Sequence, residues 1–249
     1  MKFVLLIICL FFVHVLPAQK PVTIECRIGE GIGKIMQLSG VNNGQQKILA
    51  SASYAQNGYY GFRFIPEYEG FYVLGDGKNH EYPLYLKAGD AVSLFMDKDT
   101  IYLTGKNNTA ENKVLYDWVN LSKRVCEKSI FFTRSRSTYE DFFPEFEVLL
   151  SKIKPFCKNI ETKNSRFNEL MKHFISYELD RFALNFIYTP RSKHPSKEQR
   201  IAYYNSIVDN NKFQDEVILE MPDGIKLLKL YMMFYCLENK KNASDLQES

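Results

Sequence analysis

The sequence predicts an α+β protein, with an antiparallel β-sandwich-like domain followed by an all-helical domain. Three observations carry that expectation. Apolar and aromatic residues recur at period two between Gly58 and Gly105. Turn signals punctuate the recurrence: Pro66, Gly70, Asp76-Gly77 and Ala88-Gly89-Asp90. After Asn107 the apolar spacing switches to that of a helix. Alternation bounded by Gly, Pro and Asp marks half-buried strands joined by tight turns, and a change of period marks a change of element type.

Residues 1–18 read as a secretory signal peptide rather than as fold. Lys2 supplies the positive start, Phe3 to Val15 a short apolar core, and Ala18 a small residue before Gln19, where cleavage is expected. The segment is too short for a stable membrane span, and no membrane span is expected after cleavage. Cys9 follows Leu6-Ile7-Ile8 in a pattern that only superficially resembles a lipoprotein box, since Ile8 is bulky and Cys9 comes early. The β domain is expected over residues 19–106. Val22, Ile24 and Cys26 alternate with Thr23, Glu25 and Arg27 in a first strand. Two further strands flank Asn42-Asn43-Gly44, a good hairpin turn. Tyr60, Phe62 and Phe64, then Leu84 and Leu86, then Val92, Leu94 and Met96, then Ile101 and Leu103 continue the sheet.

The helical domain is expected over residues 107–240, with a polar tail over 241–249. Asn108 and Glu111 form a near capping box ahead of Val114, Leu115, Trp118, Val119 and Val125. Thr138 and Asp141 open a second helix, in which Pro144 implies either a start or a kink. Asn164 to Tyr188 holds the helical period best. Ser196 and Gln199 form a capping box for a fourth helix through Tyr204, Ile207 and Val208, and Ile225 to Leu237 forms the last.

The chain has 249 residues, 45% hydrophobic and 24% charged, which are globular proportions with enough length for one large or two modest cores. Its net charge is +3, and loss of Lys2 with the leader leaves it too weakly basic to imply nucleic acid. After cleavage four cysteines remain: Cys26, Cys126, Cys157 and Cys236. None is close to another in sequence, so neither a metal pairing nor C-x-x-C chemistry is implied. An exported compartment permits disulfides, and the sequence does not choose among the pairings. The last three lie in apolar helical patterns, which suits buried free thiols.

Candidate chemistry is sparse. His80, His173 and His194 show no metal-ligand spacing, and no cofactor or metal is expected. Asp76, Glu81, Asp90, Asp97 and Asp99 cluster near strand ends, where turn chemistry accounts for them. Tyr54, Tyr59, Tyr60, Tyr68 and Tyr72 are the candidate ligand or partner surface, because aromatics on an exposed sheet face bind sugar rings or protein hot spots. The competing reading places them in the core. Arg181, Arg191, Lys193, Lys197 and Arg200 form a basic neighbourhood, either a solvated face or a seat for an anionic partner.

Several stretches together are familiar: G-Y-Y-G-F-R-F from Gly58, E-G-F-Y-V-L from Glu69, the A-G-D-A-V turn from Ala88, and G-K-N-N-T-A-E-N from Gly105. They resemble the region that precedes the thioredoxin domain in exported TlpA-like thiol:disulfide oxidoreductases. The resemblance implies a periplasmic or cell-envelope location and a thioredoxin-like domain or protein as partner. The family's C-x-x-C has no counterpart here, so no catalytic residue carries over and no enzyme activity is expected. The expected function is therefore a non-catalytic accessory or interaction module that positions a redox domain or partner. The alternative is an aromatic-rich β module that binds an envelope glycan.

Overall fold

The structure is a computed structural model that describes residues 20–53, 58–78, 80–131, 136–207 and 216–245, with side chains described through 238. Eight strands lead: β1 (Val22–Ile28), β2 (Ile35–Asn42), β3 (Gln45–Ser53), β4 (Tyr59–Phe64), β5 (Gly70–Gly75), β6 (Glu81–Leu86), β7 (Ala91–Met96) and β8 (Ile101–Leu103). They form sheet A, in the order β4-β1-β7-β8, and sheet B, in the order β3-β2-β5-β6. All pairings are antiparallel except β1 with β7. Among the described residues five helices follow: α1 (Ala110–Ser129), α2 (Tyr139–Lys158), α3 (Ser165–Tyr188), α4 (Tyr203–Ile207) and α5 (Gly224–Asp245), with a 3-10 turn at Glu216–Glu220.

The period-two pattern sets the sandwich. Val22, Ile24 and Cys26 on β1 lie level with Phe64, Phe62 and Tyr60 on β4, and Ile24 and Cys26 also with Val92 and Leu94 on β7. Sheet B answers with Met36, Leu38, Tyr72, Leu74, Tyr82, Leu84 and Leu86, and the two inner faces close one core. The Asn43-Gly44 turn has both residues at positive φ (48° and 71°), as a two-residue hairpin requires. A side chain at residue 44 would also meet Ile225, because the hairpin tip docks on the start of α5: Gly44 N donates to Leu219 O, and Ile225 N donates to Gly44 O at 3.0 Å.

The residues that join sheets to helices act differently from the expected capping box. Thr109 is the N-cap of α1, its hydroxyl accepting from Asn112 N at 3.2 Å. Asn108 instead serves β7: its side-chain oxygen accepts from Ser93 N at 3.0 Å, and its amide donates to Ser93 O and Thr104 O. Asn112 does the same for the edge strand β6, accepting from Tyr85 N (3.0 Å) and donating to Tyr85 O (2.8 Å). Two asparagines four residues apart thus satisfy strand backbone on both sheets, Asn108 on β7 just beyond its pairing with the short β8 and Asn112 on the edge strand β6. Glu111 pairs with Lys87 at 3.1 Å, and Asp90 accepts from Lys87 N at 2.9 Å, so the A-G-D-A-V turn is held by the same joint.

The change of period near residue 107 is a change of element: Gly105, Lys106 and Asn107 are exposed, and the buried Asn108 closes the step into α1. The helices pack on the outer face of sheet B. Phe71 stacks on Phe174 at 4.9 Å, Tyr85 meets Phe167 at 4.9 Å, and both strand residues belong to the helical core. Sheet B is consequently a shared wall, and every residue of β5 is buried.

Other expectations need adjustment. α2 runs as one helix through Pro144 and Pro155. The stack of Phe142 on Phe186 at 3.9 Å helps hold it despite the hydrogen bond each proline withdraws. The Ser196–Gln199 box forms only a turn, with Ser196 N donating to Gln199 Oε1 at 2.9 Å, and helix begins again at Tyr203. Val208 lies outside the described residues. α5 continues beyond residue 240 to Asp245, overrunning the boundary of the expected tail. Trp118 is 1% exposed, on the buried face of α1 as its spacing predicts. Among the described residues, no helix is long and apolar enough to cross a membrane.

Candidate functional site

The outer face of sheet B is only partly covered. Toward the β5–β6 turn it floors a cleft with Gln46, Val73, Glu81 and Pro83. α1 walls it with Trp118, Ser122 and Cys126, and α3 with Phe174, Glu178, Arg181 and Phe182. This chamber measures about 400 Å³. A second, of about 470 Å³, adjoins it and reaches Lys78, Asn185, Lys226, Lys229, Leu230 and Met233. Glu81, Ile130, Phe131, Arg181 and Asp223 line both.

A charged network divides the two chambers. Arg181 grips Glu178 with two bonds, Nε to Oε1 at 2.8 Å and Nη2 to Oε2 at 2.7 Å, and lies 3.7 Å from Asp223. Lys226 pairs with Asp223 at 2.8 Å. Gln46 donates from Nε2 to Glu81 at 3.1 Å and to Asp223 at 3.4 Å. Burial opposes the charge on Arg181, but Glu178 and Asp223 outweigh it and raise its pKa. Burial likewise pushes the Asp223 carboxyl up, and Arg181, Lys226 and Gln46 overcome it and hold it below the ordinary aspartate value. Arg181 and Asp223 are thus both locked in their charged forms at neutral pH, which suits a shaped, rigid recognition surface better than proton transfer.

No family model matches the chain, and no curated protein matches it. The chemistry of the site rests on its own residues.

The five tyrosines singled out from the sequence do not make one surface. Tyr60 and Tyr72 are corrected to the sandwich core, at 2% and 0% exposure, because the strand alternation turns both inward. Their hydroxyls reach the ends of the core, Tyr60 donating to Gly33 O at 3.2 Å and Tyr72 to Tyr68 O at 2.9 Å. Tyr68 stacks on Tyr72 at 4.8 Å, and its hydroxyl accepts from Val41 N and donates to Phe71 O. Tyr59 alone of those described is exposed. Tyr54, Ala18 and Gln19 lie outside the described residues.

The basic neighbourhood is also dispersed, so it is not one anionic seat. Arg181 belongs to the cleft, Lys193 pairs with Glu140, and Lys197 and Arg200 share Glu238. Arg191 sits over the Phe186 ring at 4.0 Å and donates to Ser129 O and Phe186 O at 2.8 and 2.9 Å, at the ends of α1 and α3. Burial lowers its pKa to about 10.

His80 Nδ1 lies 2.8 Å from Asp76 Oδ2, and Asp76 Oδ1 accepts the backbone N–H groups of Lys78 and His80. Burial pushes the Asp76 carboxyl up, and these bonds with the His80 side chain bring it below its usual range. The pair organises the β5–β6 turn. His194 accepts from Arg191 N, and His173 lies beside Tyr177, so the three histidines are not brought together. Among the described residues no group of three His, Cys, Asp or Glu residues could hold a metal. The four described cysteines are free thiols. Cys26 is buried, and burial pushes its thiol up to about 12. Cys126 and Cys157 are half-buried, and Cys236 is exposed, which corrects the expectation of a buried thiol there.

Sequence reasoning missed the cleft because its polar residues come from β3, β6, α3 and the turn before α5. One signal was available. The run Gly70-Phe71-Tyr72-Val73-Leu74-Gly75 carries no polar alternation, which implies cover on both faces. That run says a second layer exists, not where it stops.

Proposed function

We propose that this chain is a non-catalytic interaction module of the cell envelope, exported by residues 1–18, that positions a thioredoxin-like domain or partner. The observation that carries the reading is the first chamber. It is a preformed recess with an apolar floor and wall, Val73, Pro83, Phe174 and Phe182, edged by charges already fixed in pairs. Such a recess accepts an inserted side chain of a partner with little reorganisation. The thiols support the non-catalytic half. Dithiol exchange needs a low-pKa thiolate with a resolving cysteine beside it. Cys26 is raised to about 12 by burial, and Cys157 is also raised by burial, with Lys172 only partly opposing it. The A-G-D-A-V and G-K-N-N-T-A-E-N stretches behind the TlpA-like resemblance hold the sheet–helix joint, so their role is architectural. The glycan alternative loses the platform it rested on with the burial of Tyr60 and Tyr72.

Two measurements test the reading. Insulin reduction with dithiothreitol should run at background in the parent and in a variant with Cys126, Cys157 and Cys236 changed to Ser. Cysteine-dependent turnover above background would overturn the non-catalytic assignment. Calorimetric titration with a purified C-x-x-C thioredoxin domain should show binding that Glu81→Arg abolishes while circular dichroism stays unchanged. Binding indifferent to that change would remove the cleft as the seat.

A further inference from the structure

The second chamber differs in chemistry from the first. Its apolar surface comes from Ile130 and Phe131 at the end of α1 and from Leu230 and Met233 on α5. Its basic residues are Lys78, Arg181, Lys226 and Lys229, against the acidic Glu81 and Asp223. Arg181 and Lys226 are spent on Glu178 and Asp223. Lys78 and Lys229 have no carboxylate partner among the described residues, and both are exposed. They come from separate elements, the β5–β6 turn and α5, and line one cavity. An apolar pocket of a few hundred Å³ with a few converging polar groups is the usual form of a small-ligand site. Here the charges left over are Lys78 and Lys229 against Glu81, a net positive balance, and that decides the ligand's charge.

We propose that this chamber binds a small amphipathic anion, with an apolar body against Phe131, Leu230 and Met233 and an acidic headgroup between Lys78 and Lys229. Ammonium groups act as mobile point charges, so they suit a headgroup without demanding bidentate geometry. The inner end is closed to a second anion by Glu81 and Asp223, which orients the ligand with its headgroup outward. The site adjoins the first chamber, which the partner-binding reading uses, but Lys78, Lys229, Leu230 and Met233 line the second chamber alone.

The test is calorimetric titration of the full chain with decanoate, decanol, decyltrimethylammonium and inorganic phosphate. Decanoate should bind at one site, with decanol about tenfold weaker, as one lost charge contact implies. Decyltrimethylammonium and phosphate should not bind measurably. The double variant Lys78→Glu/Lys229→Glu changes only exposed side chains, and it should weaken decanoate by about tenfold or more while leaving decanol unchanged. Met233→Glu should weaken both decanoate and decanol. Equal affinity for decanoate and decanol, an unaffected double variant, phosphate binding as tight as decanoate, or no decanoate binding would each overturn the proposal.

Discussion

The two faces of sheet B have opposite characters. The inner face, with Met36, Leu38, Leu74, Leu84 and Leu86, meets sheet A in a core of aliphatic residues closed at its ends by tyrosines. The outer face carries Phe71 and Tyr85 under the phenyl rings of α3, then opens at Val73 and Pro83 onto a charged cleft. One face was completed by strands of the same period. The other was completed by helices that cover part of it and leave the rest as a cleft. A strand buried on both sides can therefore be sealed at one end and border a cleft at the other.

The largest expected effect comes from removing the contact that makes the wall shared. Phe71→Ala should cost about 3–5 kcal/mol in urea unfolding. Trp118 emission and far-ultraviolet dichroism should still report one transition, because the β and helical regions share buried residues. Two separated transitions in the parent would break the comparison. A smaller effect is expected at the joint. Asn112→Ala orphans the N–H and C=O of Tyr85 and should cost about 1–3 kcal/mol. An effect near zero would mean that water replaces the side chain on an open edge.

The smallest effect concerns the cleft wall and depends on pH. Asp223 has a depressed pKa, so its contribution is present above the unfolded value of about 3.9 and is lost as pH falls through the lower folded value. Asp223→Asn should cost about 1 kcal/mol at neutral pH, and the difference from the parent should shrink below about pH 4. A difference that stays constant on acidification would show that the carboxylate charge is not what matters there.

The sandwich was legible because its strands alternate, and Asn43-Gly44 named its hairpin. α3 was legible because Phe167, Leu170, Met171 and Phe174 hold the helical period. The roles of Asn108 and Asn112 were not, because a side chain that bonds strand backbone leaves no periodic mark. The tyrosines misled for a related reason. Tyr60 and Tyr72 obey the alternation that buries them, while their composition suggests a binding face. The cleft was least legible, since Gln46, Glu81, Arg181 and Asp223 meet only once β3, β6, α3 and the turn before α5 are packed.

The central claim is that sheet B has one sealed face and one open face, and native-state thiol labelling tests it most directly. Cys26 lies in the sandwich core at 0% exposure, and Cys126 lines the cleft. In variants that each retain only one of these cysteines, a small maleimide should modify Cys126 in the folded protein. Cys26 should react only as fast as the whole chain unfolds. Equal reactivity of the two thiols, whether both labelled or both protected, would contradict the account.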